Sequence, residues 1–276
     1  MDRPDLGRGA PLRVMYLDPT PPSPEVRLFA AMAERARLPG TEVHVASIPE
    51  ATERFEHIEY RTYEGLVTGA ILRAVRQAAT EGFDALVIGC FYDTALLDAR
   101  EVSGEMVVTG PCAASCEIAA SLCNHFGIIV GRQKWVPQMR ATVSEYGHGP
   151  RLTGFYPVGL GVTEFQRDHG ETAQRLLAAG RRAVEEDYAE ALILGCTMEV
   201  GFHEEMQAEL GVPVIDPSTA AFKRAEYAAG LKRTCGWLPS RRWSCEAPPE
   251  AELARIGCFD VNADAFGARI VLPAAA

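Results

Sequence analysis

Apolar positions along this chain gather into short unbroken runs, and the stretches between them carry helical spacing. The runs at 12–17, 41–48, 85–89, 106–109, 126–130, 152–158, 191–195 and 212–215 predict strands covered on both faces, since a half-buried strand would alternate. Helices are expected at about 24–37, 64–81, 93–102, 112–124, 134–145, 171–186 and 203–210. Proline and glycine punctuate the connections, as in Asp18-Pro-Thr-Pro-Pro-Ser and Gly147-His-Gly-Pro. The order strand, helix, strand runs through the first half and again through the second, which predicts an α/β fold with parallel sheets used twice.

A helix at about 220–231, after Asp216-Pro-Ser-Thr, is expected to return to the first half. The first domain would then be discontinuous, 1–111 plus 217–276, with 112–216 as the second. The tail from 233 onward differs in composition. It holds two of the three tryptophans, three cysteines and an apolar, strand-like Arg269-Ile-Val-Leu, and is expected to be an ordered extension on the outside of the fold or on a neighbouring subunit.

One phrase occurs twice, Asp84-Ala-Leu-Val-Ile-Gly-Cys90 and Glu190-Ala-Leu-Ile-Leu-Gly-Cys196. Each copy reads as a buried strand that ends in a thiol. Ligands of open α/β sheets bind beyond the carboxyl ends of the strands, so each half would present one cysteine to a binding crevice. A lone Gly-Cys would be read as a small buried strand end, because free cysteine is among the most buried residue types. Two in matching places fit an acid/base or nucleophile pair better.

Composition narrows the field. A formal charge of −10 and a pI near 5.2, without any Lys/Arg block, argue against a nucleic-acid partner. No apolar stretch approaches the ~20 residues that span a bilayer, and Met1-Asp-Arg-Pro-Asp-Leu-Gly-Arg lacks a signal-peptide core, so no membrane partner and a cytoplasmic location are expected. Eight cysteines in 276 residues are too sparse for a disulfide framework. Cys112, Cys116 and Cys123 share one helical face and read as packing residues; Cys235, Cys245 and Cys258 are too widely spaced for a metal motif. His57, His125, His148, His169 and His203 are scattered, with no His-x-x-x-His pair. No metal site is expected, and neither a dinucleotide fingerprint nor a Walker loop is present to imply a nucleotide.

With Gly89-Cys-Phe-Tyr-Asp93 and Leu194-Gly-Cys-Thr197, the two phrases resemble the aspartate/glutamate/hydantoin racemase superfamily, most of all its hydantoin and allantoin racemase branch. The resemblance spans about 12–230 and includes the Asp18-Pro-Thr loop and the Val214-Ile-Asp-Pro-Ser strand end; the last forty or so residues lie outside it. It implies two pseudo-symmetric, doubly wound, Rossmann-like or flavodoxin-like domains facing across a cleft, one cysteine from each, no cofactor and an even-numbered homo-oligomer. Two positions depart from the branch. Asp18-Pro-Thr-Pro21 stands where hydantoin racemases tend to have Asn-Pro-Asn-Thr, and Gly131-Arg-Gln133 where they often have a Thr pair, which leaves the substrate open. Arg132 could meet a carboxylate or ureido oxygen through its bidentate fork, or form an ordinary salt bridge.

The chemistry expected of Cys90 and Cys196 is removal of a carbon-bound proton by one thiolate and delivery of a proton to the other face by the opposite thiol. The thiolate needs a turn rich in N–H donors or a helix N-terminus, and the carbanion needs hydrogen bonds to its enolate oxygen. Backbone amides after each cysteine and the hydroxyls of Thr20 and Thr197 are candidates, with Asp18, Tyr92, Asp93, Gly131 and Arg132 as further substrate contacts. Asp93 and Thr197 could equally cap helices, and Glu199 reads as a first-turn dipole residue with a possible substrate contact. The favoured activity is a cofactor-independent racemase or epimerase of a 5-substituted hydantoin, allantoin or an amino-acid derivative. Alternatives on the same scaffold are a maleate-type cis–trans isomerase or an arylmalonate-type decarboxylase; loss of one cysteine marks the latter, so retention of both counts against it. A non-catalytic ligand-binding or thiol-sensing protein is the third reading.

Overall fold

The computed structural model describes residues 10–49, 55–257, 259 and 264–274. Cys258 lies outside them. Among the described residues two sheets form, and their strand orders match. The first contains β1 (Leu12–Asp18), β2 (Thr41–Ser47), β3 (Ala85–Ile88) and β4 (Val107–Thr109) in the order β4-β3-β1-β2, all parallel. The second contains β5 (Phe126–Val130), β6 (Leu152–Pro157), β7 (Ala191–Leu194) and β8 (Val214–Ile215) in the order β8-β7-β5-β6, again parallel. β1 therefore corresponds to β5 and β3 to β7. Every residue of β3, β5, β7 and β8 is buried, which is why these strands read as continuous apolar runs.

In both sheets the chain leaves the first strand toward one edge and returns to the other side of it. The topological switch point thus falls between β1 and β3, and between β5 and β7. Asp18 closes β1, Cys90 follows β3, Gly131 follows β5 and Cys196 follows β7.

Helices α1 (Glu25–Ala36), α2 (Arg61–Thr80), α3 (Leu96–Val102), α4 (Pro111–Leu122), α5 (Val136–Glu145), α6 (His169–Glu185), α7 (His203–Leu210) and α8 (Pro217–Cys235) connect the strands. α1 and α6 bury one stripe each, Phe29 and Ala33 in the former, Leu176, Ala179 and Ala183 in the latter. α8 is longer than the expected helix at 220–231, because Pro217 takes the first helical position, where its missing N–H costs nothing.

The chain divides into two compact units, one of residues 1–88, 94–109 and 222–276, the other of 89–93 and 110–221. The boundaries expected from the sequence lay at 111 and 217. Residues 89–93 group with the second unit, because Asp93 hydrogen-bonds to the start of α4 and to Tyr146, and the Gly89 carbonyl accepts from Thr197.

The tail resolves into a short helix α9 (Glu250–Ile256) and a strand β9 (Arg269–Leu272). β9 pairs antiparallel with the open edge of β2, Val45 opposite Ile270. A glycine is required at 267, where a Cβ would lie 2.5 Å from the Ile48 carbonyl oxygen. The extension thereby covers a sheet edge that would otherwise present unpaired backbone groups.

Candidate active site

Both thiol-bearing turns belong to the second unit. Cys196 is buried and Cys90 half-buried. After Cys90 the Asp93 amide donates to the Cys90 carbonyl at 2.9 Å, and Asp93 adopts a left-handed backbone at φ 53. After Cys196 a single 3₁₀ turn, Thr197–Glu199, closes with the Glu199 amide on the Cys196 carbonyl at 3.0 Å. Neither cysteine opens a long α-helix, so a tight turn rather than a helix N-terminus surrounds each thiol. The Thr197 hydroxyl donates to the Gly89 carbonyl at 3.2 Å. This bond joins the residue before one thiol to the residue after the other.

Asp93 holds three structural hydrogen bonds. Its two carboxylate oxygens accept the amides of Cys112 and Ala113, each at 2.9 Å, and the Tyr146 hydroxyl at 2.9 Å. It caps α4, about twenty residues ahead, rather than a helix of its own. Gly110 has no side chain because a Cβ there would meet Asp93 Oδ1 at 2.3 Å. Thr197 likewise caps no helix, and its hydroxyl donates to the Gly89 carbonyl. Tyr92 is buried and Arg132 half-exposed. Gly131 is dictated by packing, since a Cβ would stand 2.3 Å from the Leu160 carbonyl oxygen and 2.5 Å from the Trp135 ring.

Cys112 and Cys116 are fully buried on α4, while Cys123 is half-buried at its end. The hydrogen bond that the Cys112 thiol makes to Cys116, with burial, pushes that thiol well above the ordinary range. That environment disfavours its thiolate. Among the described residues no group of three His, Cys, Asp or Glu side chains could hold a metal ion, and no helix is long and apolar enough to cross a membrane.

Asp18 and Thr20 lie in the first unit. Asp18 is buried, and its Oδ1 accepts both the amide and the hydroxyl of Thr20, at 3.3 and 2.9 Å. Burial, against the bonds from Thr20, raises its pKa from 3.8 to about 7. The native state therefore holds a proton that the unfolded chain releases above about 4, and wild-type stability falls as pH rises through that window. Asp18→Asn should remove this dependence, gaining on wild type between pH 5 and pH 8 in urea melts; an unchanged difference at the two pH values would contradict it.

Glu199, which the sequence offers as a first-turn dipole residue, lies inside the fold. It is 0% exposed, and its Oε2 accepts the Cys196 amide at 3.2 Å. Burial and the nearby Asp216 push its carboxyl well above the usual range, against the pull of the Cys196 and Gly195 amides. Oε1 is buried without a hydrogen-bond partner among the described residues. A capping contact contributes about 0.5–2 kcal/mol, whereas an unsatisfied buried polar atom costs about 1–3 kcal/mol.

Comparison with known proteins identifies the family. The family model for Asp/Glu/Hydantoin racemase matches residues 25–225. The chain belongs to the Asp/Glu/hydantoin racemase family. It is an isomerase with the two-domain, Rossmann-like architecture of that family. It is 33% identical over 180 residues to a hydantoin racemase of Pseudomonas sp. (strain NS671), covering 65% of this chain and 72% of that one. To a hydantoin racemase of Paenarthrobacter aurescens it is 30% identical over 242 residues, covering 87% of this chain and 99% of the relative. Among solved structures, an allantoin racemase from Klebsiella pneumoniae superposes with a TM-score of 0.79 at 26% identity, covering 86% of this chain and 94% of the other. The matched region ends before the tail that forms β9.

Proposed function

We propose that this racemase inverts a carbon acid of the hydantoin or allantoin type without a cofactor, with Cys90 and Cys196 as the acid/base pair. The hydrogen bond from the Thr197 hydroxyl to the Gly89 carbonyl carries the reading, because it couples the two thiol turns in one compact unit. One thiolate takes the proton from the carbon beside the carbonyl, and the other thiol delivers its own proton to the opposite face. The substrate proton ends on the first sulfur and the second sulfur is left as thiolate, so the enzyme emerges poised for the reverse direction. Backbone amides in the two turns are the donors for the enolate oxygen. The names of the relatives support a cyclic ureide as substrate.

Deuterium incorporation from D2O, followed by NMR on a 5-substituted hydantoin, allantoin, free amino acids and maleate, tests the proposal. Exchange at the stereogenic carbon with loss of optical rotation is the expected result for the hydantoin or allantoin. Consumption of maleate without exchange in any carbon acid would transfer the site to cis–trans isomerisation, where one thiol adds to the double bond.

A further inference from the structure

We infer that Glu199 is a positioning residue for Cys196, bracing the thiol-bearing turn from inside the second unit through its buried carboxyl. The inference rests on the reading of Cys196 as a catalytic thiol. Its geometry is reciprocal. The Glu199 amide donates to the Cys196 carbonyl at 3.0 Å, while Glu199 Oε2 accepts the Cys196 amide at 3.2 Å, so both backbone groups of the cysteine end on one residue. Thr197, between them, is held by Gly89 through its hydroxyl and by Ser218, whose hydroxyl reaches the Thr197 carbonyl at 3.4 Å.

The brace works uncharged. Glu199 is wholly buried, and its titratable surroundings are Cys196 on its own turn and Asp216 at the end of β8, with His203 of α7 3.8 Å from Asp216. An ionised carboxylate there would oppose the thiolate form of Cys196 by like-charge repulsion, whereas the neutral acid does not. Since Oε2 accepts the amide, the acid proton belongs on Oε1, the oxygen without a partner among the described residues. Asp216 already accepts the amides of Gly201 and Thr219, which anchors the neighbouring chain independently.

Three substitutions separate the roles. Glu199→Gln keeps the shape and an acceptor for the Cys196 amide, Glu199→Met keeps the volume without an acceptor, and Glu199→Asp keeps the acid but shortens its reach. Two readouts apply in the full-length protein: kcat and KM on a 5-substituted hydantoin, and the iodoacetamide alkylation rate of Cys196 resolved by peptide mass spectrometry. Met and Asp should lower kcat about tenfold or more with little change in KM, as expected when a reacting group is displaced. They should also speed alkylation of Cys196 as its turn loosens. Gln should recover most of the lost kcat and the slow alkylation.

Equal loss in Gln and Met would overturn the inference, since the acid proton itself would then be required. Wild-type kcat and alkylation in Met and Asp would also overturn it, leaving Glu199 a packing residue. Retained turnover in Cys196→Ser would instead remove the reading on which the inference stands, and with it the inference.

Discussion

Serine in place of Cys90 or Cys196 is expected to abolish racemisation and to leave the fold intact. Serine has nearly the volume of cysteine, so packing changes little at either position, one buried and one half-buried. A hydroxyl ionises far less readily than a thiol, and losing one acid/base partner typically costs about 10²–10⁴-fold in rate. The two variants should also differ from one another. In a two-base mechanism the surviving thiol still reaches one face of the substrate carbon, so each variant should exchange deuterium slowly into one enantiomer without inverting it, and the two should choose opposite enantiomers. Chiral analysis of exchange in D2O checks this. Wild-type inversion in either variant, or exchange of the same enantiomer by both, would rule out paired roles for the cysteines.

Asp93→Ala should give the largest loss of stability. Its carboxylate caps two amides at the start of α4 and accepts the Tyr146 hydroxyl, and Gly110 is bare to admit it. A cap contributes about 0.5–2 kcal/mol and a hydrogen bond to a charged group about 1.5–3 kcal/mol, so a total near 2–4 kcal/mol is expected. In a chain of this size that lowers Tm by roughly 5–15 °C. Asp93→Asn, which retains one acceptor oxygen and tolerates the left-handed backbone at φ 53, should recover about half. Because the residue closes the turn that begins at Cys90, Ala should reduce turnover even below the melting transition. Calorimetry of the three proteins decides the stability effect; a Tm within a degree of wild type for Ala would show that the carboxylate does not hold the turn.

Much of the architecture was legible before any coordinates. Apolar runs at 85–89 and 191–195 become β3 and β7 because parallel strands covered on both faces must be apolar throughout. The duplicated Gly-Cys marked equivalent strands because both end at a switch point, where a binding loop leaves the sheet. Arg269-Ile-Val-Leu was legible as a strand, whereas its partner β2 was not, since edge pairing depends on where a distant segment is carried. Glu199 was legible only as a first-turn acid; its burial, which raises its carboxyl's pKa, comes from the packing around it.

The chain's own pattern thus carried its fold class, its internal duplication and the two cysteines, because these follow from local periodicity and from residues repeated at matching places. Tertiary structure alone decided that Asp93 caps a helix about twenty residues away, that residues 89–93 join the second unit, and that Glu199 sits under Cys196. Those outcomes depend on which hydrogen-bonding groups become neighbours once the sheets form, and on how far each is removed from water. Neither quantity is written in the spacing of residues along the chain.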